Sequence, residues 1–469
     1  MFRTFDCVCY CVAGALLLGI CTSAGAQPWK APGPPATPDR YNFGSSPSKP
    51  LRFRDAWYFT AADGLNGASL WKTDGTQEGT RFCLAFRSEF PQFIFNYQLS
   101  APLLLAADDH LFLWSDQVVW STDGTPEGTQ EVWRAQVGKS PVVTSTGLAW
   151  LAPMPGTQGD RVWVSDGTPE GTRVAGGDSV NFGTTTQLLR FQDALIVGGT
   201  RAGSTAILFL LNLESGELVP LSDTIRLPSP YSRDLPAVLL GESLVFFGID
   251  RYLYVTRGTP ESTFRLSNAT SVATLTPAGS VCYFIADGSP LGRNLWVTDG
   301  TQAGTRYITS NNPNWAGTAN YTGDNFMAMD GDVLWFSAYA RNGTTSPPFR
   351  AQVFSLAGPD QQPVQRTFYP NLTGPLYDSG VAAAQGRVLH YRPGAGYTSE
   401  MIVYALDDSP EGASRVSPPL GFMGGREHRW GAAVADGLMF TAEIPDPVYG
   451  SIFGYEPHFI RGSTGETYR

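Results

Sequence analysis

At 469 residues, with 12% aromatic and only 16% charged residues, 52 Gly and 35 Pro, the chain reads as many short strands joined by tight turns, which excludes a mainly helical protein. A net charge of -10 without any run of Lys or Arg excludes nucleic acid and anionic membrane as main partners, because phosphate binding needs a clustered basic face.

Residues 1–26 read as a secretory signal peptide: Arg3 near the start, an apolar stretch from Val12 to Ile20, then small residues ending in "AGA" before Gln27. The apolar stretch is about half of the ~20 residues that a spanning helix needs, so a membrane anchor is the weaker reading and no transmembrane span is expected after cleavage near Ala26. Lipidation of Cys21 stays open, although Ile20 stands where a lipobox carries a small residue. The expected location is therefore secreted, periplasmic or on the outer cell surface. Residues 27–50 are rich in Pro, Gly and Ser and read as a linker. Cys7, Cys9, Cys11 and Cys21 leave with the signal, so the mature chain keeps Cys83 and Cys282: too few for a disulfide framework, they read as buried free thiols, with a bridge between them as the alternative.

From residue 51 to 469 the chain repeats itself. "WKTDGTQEGT" from Trp71, "WSTDGTPEGT" from Trp120, "WVSDGTPEGT" from Trp163 and "WVTDGTQAGT" from Trp296 are strong copies. Tyr254 opens a weaker one, and eroded copies are placed at Phe209, Phe354, Tyr404 and Phe459. Successive anchors lie about 48 residues apart, close to the period of four-stranded propeller blades. Each unit reads as an apolar run, a polar turn, a second run, a third strand into the anchor and a fourth strand after the final Gly-Thr. The expected fold is all-β: a single β-propeller of eight or nine four-stranded antiparallel blades, one domain over residues 51–469.

The ten residues have a structural reading. Pro126 supplies the fixed φ wanted at the second position of a type I turn and Gly128 the left-handed residue that follows it, together a hairpin loop closed by a glycine bulge. Asp123 can fold its carboxylate onto nearby backbone N-H groups, and Gly124 permits a close approach. Trp120 is large enough to fill the gap between sheets. Trp71, Asp74, Gly75, Trp163, Asp166, Gly167, Trp296, Asp299 and Gly300 hold the same places in the other strong copies. Calcium at each Asp-Gly-Thr is the functional alternative, but one carboxylate falls short of the six to eight oxygens the ion takes, and Arg257 occupies the Asp place in one copy.

On these residues the chain resembles the ELWxxDGT-repeat family of exported bacterial proteins, whose repeats are thought to form β-propellers. The Trp-x-x-Asp-Gly-Thr-x-x-Gly-Thr pattern carries the likeness; the preceding Glu-Leu is Ser69-Leu70 or Asn294-Leu295 here. The turn is also analogous to the Asp-box of sialidase propellers, without its spacing. The resemblance implies a fold and export, and it transfers no catalytic residue.

Local motifs for chemistry are sparse. His110, His390, His428 and His458 stand alone, at no metal-ligand spacing, and are expected in turns or at the surface. No cofactor and no metal site is expected. Asp234, Asp324, Asp378, Tyr231 and Tyr377 are loop residues from which a propeller enzyme could assemble a central-channel site, so a carbohydrate-active hydrolase or lyase is the alternative function. The favoured reading is a non-enzymatic recognition or scaffold module, a candidate subunit of a cell-surface or envelope complex, with a protein or glycan partner. Its binding face is expected on the second-to-third loops and the inter-blade links, at Phe93, Tyr97, Trp315, Tyr321, Tyr369, Tyr377, Tyr449 and Tyr455. Asn268, Asn320, Asn342 and Asn371 open glycosylation sequons that matter only in a glycosylating host.

Overall fold

The computed structural model describes residues 47–85, 103–228, 237–309, 327–369, 380–415, 431–445 and 452–468, apart from short breaks inside those stretches. Among them every regular element is a strand. The strands form nine four-stranded antiparallel sheets, each in the order first, second, third, fourth. We number these blades 1 to 9 along the chain: 51–85, 103–134, 139–174, 184–222, 237–265, 270–307, 327–365, 380–415 and 431–468. No helix of the described residues is long and apolar enough to cross a membrane.

From blade 1 to blade 4 and from blade 5 to blade 9 the first strands of neighbouring blades lie against one another, which places them at the hub of the ring. Both faces of a blade are covered by neighbours, so its inner strands read as unbroken apolar runs instead of alternating ones. In blade 5 the second strand Ser243–Phe247 is buried at every position. Its Leu244 and Phe246 pack toward blade 4, whereas Val245 and Phe247 pack toward blade 6.

The anchor aromatic closes each seam. Trp120 packs with Leu113 against Phe53, Tyr58 and Leu70 of blade 1, Phe209 against blade 3, Tyr254 against blade 4, Trp296 against blade 5 and Phe354 against blade 6. In every case the anchor and its cross-strand partner face the preceding blade. Trp71, with Phe59 and Ala61, meets Ala432, Val434, Met439 and Phe459 of blade 9, and this seam closes the ring. Burying each such aromatic contributes about 1.5–3 kcal/mol. Nine blades exceed the four to eight that are usual for propellers.

Blade 9 corrects one register. The pair Phe440↔His458 occupies the place that Phe246↔Tyr254 holds in blade 5, counted from the first turn. The anchor position is therefore His458, and Phe459, one residue on, sits on the opposite face and packs toward blade 1. A single-residue slip flips a side chain across the sheet, and the apolar Phe459 is the more conspicuous of the two in sequence.

Candidate functional site

Hairpin geometry divides the ring into two faces. The turns between first and second strands share one face with the Asp-Gly-Thr turns. The second-to-third loops and the inter-blade links lie on the other.

On the first face the repeated turn is built from its own side chains. Asp123 Oδ1 accepts from Thr125 N at 2.9 Å and Thr125 Oγ1 at 2.7 Å. Asp74, Asp166 and Asp299 repeat both bonds at the same lengths. The hydroxyl of Thr129 bridges Thr122 Oγ1 at 2.7 Å and the carbonyl of Thr125 at 2.5 Å. Hydrogen bonding from the Thr hydroxyl, the largest influence, holds Asp123, Asp166 and Asp299 below the ordinary carboxylate range.

Both glycines of the phrase are constrained. Gly75, Gly124, Gly167 and Gly300 have φ of 88, 96, 97 and 86°, a left-handed conformation that glycine adopts without strain. Each also touches the preceding blade: a Cβ on Gly124 would lie 2.6 Å from the Tyr58 hydroxyl, and one on Gly75 would lie 3.0 Å from Ala435 in blade 9. The left-handed residue is thus the first glycine and not Gly128, as the turn pattern suggests; the second glycine is required by the carboxylate instead, since a Cβ on Gly79, Gly128, Gly171 or Gly304 would run into Asp74, Asp123, Asp166 or Asp299.

Blade 5 exchanges both residues together. Arg257 replaces the Asp and Ser262 replaces the second Gly. Ser262 Oγ then accepts from Thr259 N at 3.2 Å and Arg257 N at 3.1 Å, taking over the work of the missing carboxylate. In blade 4 Asn212 Oδ1 accepts from Glu214 N at 2.9 Å, and in blade 8 Asp407 Oδ1 accepts from Ser409 N at 2.9 Å. The phrase thus spends its polar groups on the turn and its glycine on the seam. Among the described residues no group of three or more His, Cys, Asp or Glu side chains is arranged to hold a metal ion.

The opposite face carries the three most exposed large apolar side chains among the described residues: Ile249 (59%), Phe368 (55%) and Leu103 (50%). Ile249 lies in the second-to-third loop of blade 5, Phe368 after the fourth strand of blade 7, and Leu103 at the start of the first strand of blade 2. Of the aromatic residues expected on this face, Phe93, Tyr97, Trp315, Tyr321, Tyr377 and Tyr449 lie outside the described residues. Tyr455 stands on the third strand of blade 9 (Ile452–Arg461), across from Glu443, rather than in a loop.

Tyr369 is a correction. It is 1% exposed, its hydroxyl lies 3.1 Å from His390 Nδ1, and its ring is 5.4 Å from that of Tyr404. Gln352 Oε1 accepts from Tyr369 N at 3.2 Å and from Thr367 Oγ1 at 2.7 Å, which ties the residue into the seam between blades 7 and 8. Tyr369 therefore cannot meet a partner at the surface. His390 is corrected with it: it is fully buried across from the anchor Tyr404, where the other blades place an apolar residue. Nothing in "VLHYRP" marks it as a seam residue. His110 holds the first turn of blade 2, beside Gly167.

On the hub, the next-to-last residue of each first strand is Arg52, Leu105, Val143, Arg190, Leu239, Pro277, Met329, Ala383 or Ala433. Asp234, Asp324, Asp378, Tyr231 and His428 lie outside the described residues. Cys83 and Cys282 are free thiols, and burial pushes them up to about 11 and about 12, away from thiolate reactivity.

No family model and no curated protein matches the chain. Among solved structures it is similar to the computationally designed Ika8 protein, at 12% identity over 79% of this chain and 95% of that one, with a TM-score of 0.42. It is similar also to the β-propeller domain of the Trilobed protease from Pyrococcus furiosus, at 11% identity over 69% of this chain and 98% of that one, with a TM-score of 0.35. The tricorn protease aligns at 12% identity over 87% of this chain, with a TM-score of 0.29; the chain spans 44% of that protein's length. Scores at this level carry no weight for activity, and the nine-bladed ring rests on its own sheets and seams.

Proposed function

We propose that this chain is an exported, non-enzymatic β-propeller of the ELWxxDGT-repeat kind that serves as a recognition or scaffold module, with a protein or glycan partner at the extracytoplasmic surface. One observation supports this reading above the rest: the two faces of the ring are unequal. The Asp carboxylates of the repeated turns bond within their own turns, whereas Ile249, Phe368 and Leu103, in blades 5, 7 and 2, are left exposed on the face of loops and links. Rigid scaffolds commonly present recognition on such loops.

The test compares what the mature chain and an Ile249→Asp/Phe368→Asp variant retain from their own host's envelope fraction, after melting shows both are folded. The reading expects a stoichiometric partner that the variant loses. Equal retention by both proteins, or nothing retained by either, sinks it.

A further inference from the structure

Arg161 begins the third strand of blade 3 (Asp160–Ser165) and is 4% exposed, yet its Nε and Nη1 have no hydrogen-bond partner among the described residues. A guanidinium taken out of water without compensation is strongly unfavourable. Even the exposed Arg366 of blade 7 is partnered: its Nε donates to Ser355 Oγ at 2.8 Å and its guanidinium lies over the Trp335 ring.

Register shows what shares Arg161's face. Arg161 lies across from Ala152, and Trp163 across from Trp150. Cross-strand partners and residues two apart point to one side, so these four side chains all face blade 2. There Trp150 and Ala152 pack with Phe112, Trp114 and Val132. The indole Nε1 atoms of Trp150 and Trp163 are buried and equally without a partner. Asp160, paired with Lys139 at 2.9 Å, alternates onto the other face with Val162. One side of blade 3 therefore carries a guanidinium and two indole N-H groups, all donors, and these N-H groups have no hydrogen-bond partner among the described residues.

We propose that this seam between blades 2 and 3 is an anion site that takes the carboxylate of a small ligand. A planar carboxylate matches the fork of Arg and accepts from several donors at once, and its charge offsets the one that blade 3 buries. The site lies where the second and third strands meet their loop, on the same side of the ring as Ile249 and Phe368. It does not depend on the family reading.

Sodium acetate is the probe, titrated into the mature chain at constant ionic strength made up with sodium chloride. The tryptophans that surround the site, whose ring centroids lie 5.5–6.4 Å apart, report it by fluorescence, and thermal melting gives a second reading. The expected result is a saturable emission change and a rise in Tm with acetate. Arg161→Met should abolish both responses and, without acetate, melt no lower than the wild type, because it removes a buried unpaired charge. Arg161→Lys, which keeps charge but loses the fork, should bind at least tenfold more weakly. A wild-type protein indifferent to acetate, or Arg161→Met responding like the wild type, overturns the site. So does an Arg161→Met protein that melts well below a wild type unaffected by acetate. Sodium sulfate acting as strongly as acetate overturns the assignment to a carboxylate.

Discussion

Asp123 and Gly128 stand five positions apart, yet a change at either is felt by the other. The carboxylate occupies the space a Cβ at 128 would need, and blade 5 shows the pair exchanged as Arg257 and Ser262. Gly128→Ser alone should destabilise by about 1–3 kcal/mol through overpacking, and Asp123→Ala alone by about 1 kcal/mol through the lost turn bonds. The double variant should fall well short of their sum, because the new hydroxyl can take the Thr125 N-H as Ser262 takes that of Thr259. Denaturant melts of all four proteins give this coupling directly; strict additivity would show that the two positions are independent. The same carboxylates set an acid limit. Asp123, Asp166 and Asp299 titrate below their unfolded values because Thr hydroxyls donate to them. Their stabilisation is therefore complete above the unfolded pKa of about 4 and is lost as pH falls through the folded value. These groups are solvent-facing, so each contributes little. Carboxyl NMR should place their midpoints below the 3.8 of a free Asp, and Thr168→Val should return Asp166 toward that value.

Within a blade the third strand, the turn and the fourth strand act as one joint, whose glycine reaches back to the blade before it. Gly124→Ala must place a Cβ at φ 96° and 2.6 Å from the Tyr58 hydroxyl. It should lower stability by about 1–3 kcal/mol, and Tyr58→Phe in the same chain should recover part of that loss in a thermal melt. No recovery would mean that backbone strain alone sets the penalty. Such joints were legible in sequence wherever the ten residues are intact, because Trp, Asp-Gly and Pro-x-Gly each announce a local geometry. The unbroken apolar run "SLVFF" likewise announces a strand covered on both sides. Tyr369 was misread because its burial is decided by Gln352 and His390, 17 and 21 residues away, while its neighbours Pro370 and Asn371 resemble an exposed link. Phe459 was misplaced because an eroded turn leaves the register to the pairing of Phe440 with His458. The donor cluster around Arg161 was invisible for the same reason: Arg in "GDRVWVSDG" looks like a strand end until its partners show which side it faces.

The ring as a whole closes without exchanging a strand. Blade 1 takes its four strands from 51–85 and blade 9 from 431–468, so among the described residues the two share no strand and meet through side-chain packing. Every other pair of neighbours is also joined by the chain running from one sheet to the next. In a repeat array, stability is the sum of unit and interface terms, and the seam lacking that covalent link is where opening begins. Phe59, fully buried there against blade 9, is the residue to remove. Phe59→Ala should destabilise by about 3–5 kcal/mol, and hydrogen exchange should rise first in the strands of blades 1 and 9, then fade toward blade 5 on the far side. Phe284→Ala, in the seam of blades 5 and 6, removes the same side chain where the chain still bridges the gap, so its exchange should rise locally and leave blades 1 and 9 protected. If Phe59→Ala instead raised exchange equally in all nine sheets, the ring would unfold as one cooperative unit, and the unbridged seam would have no special weakness.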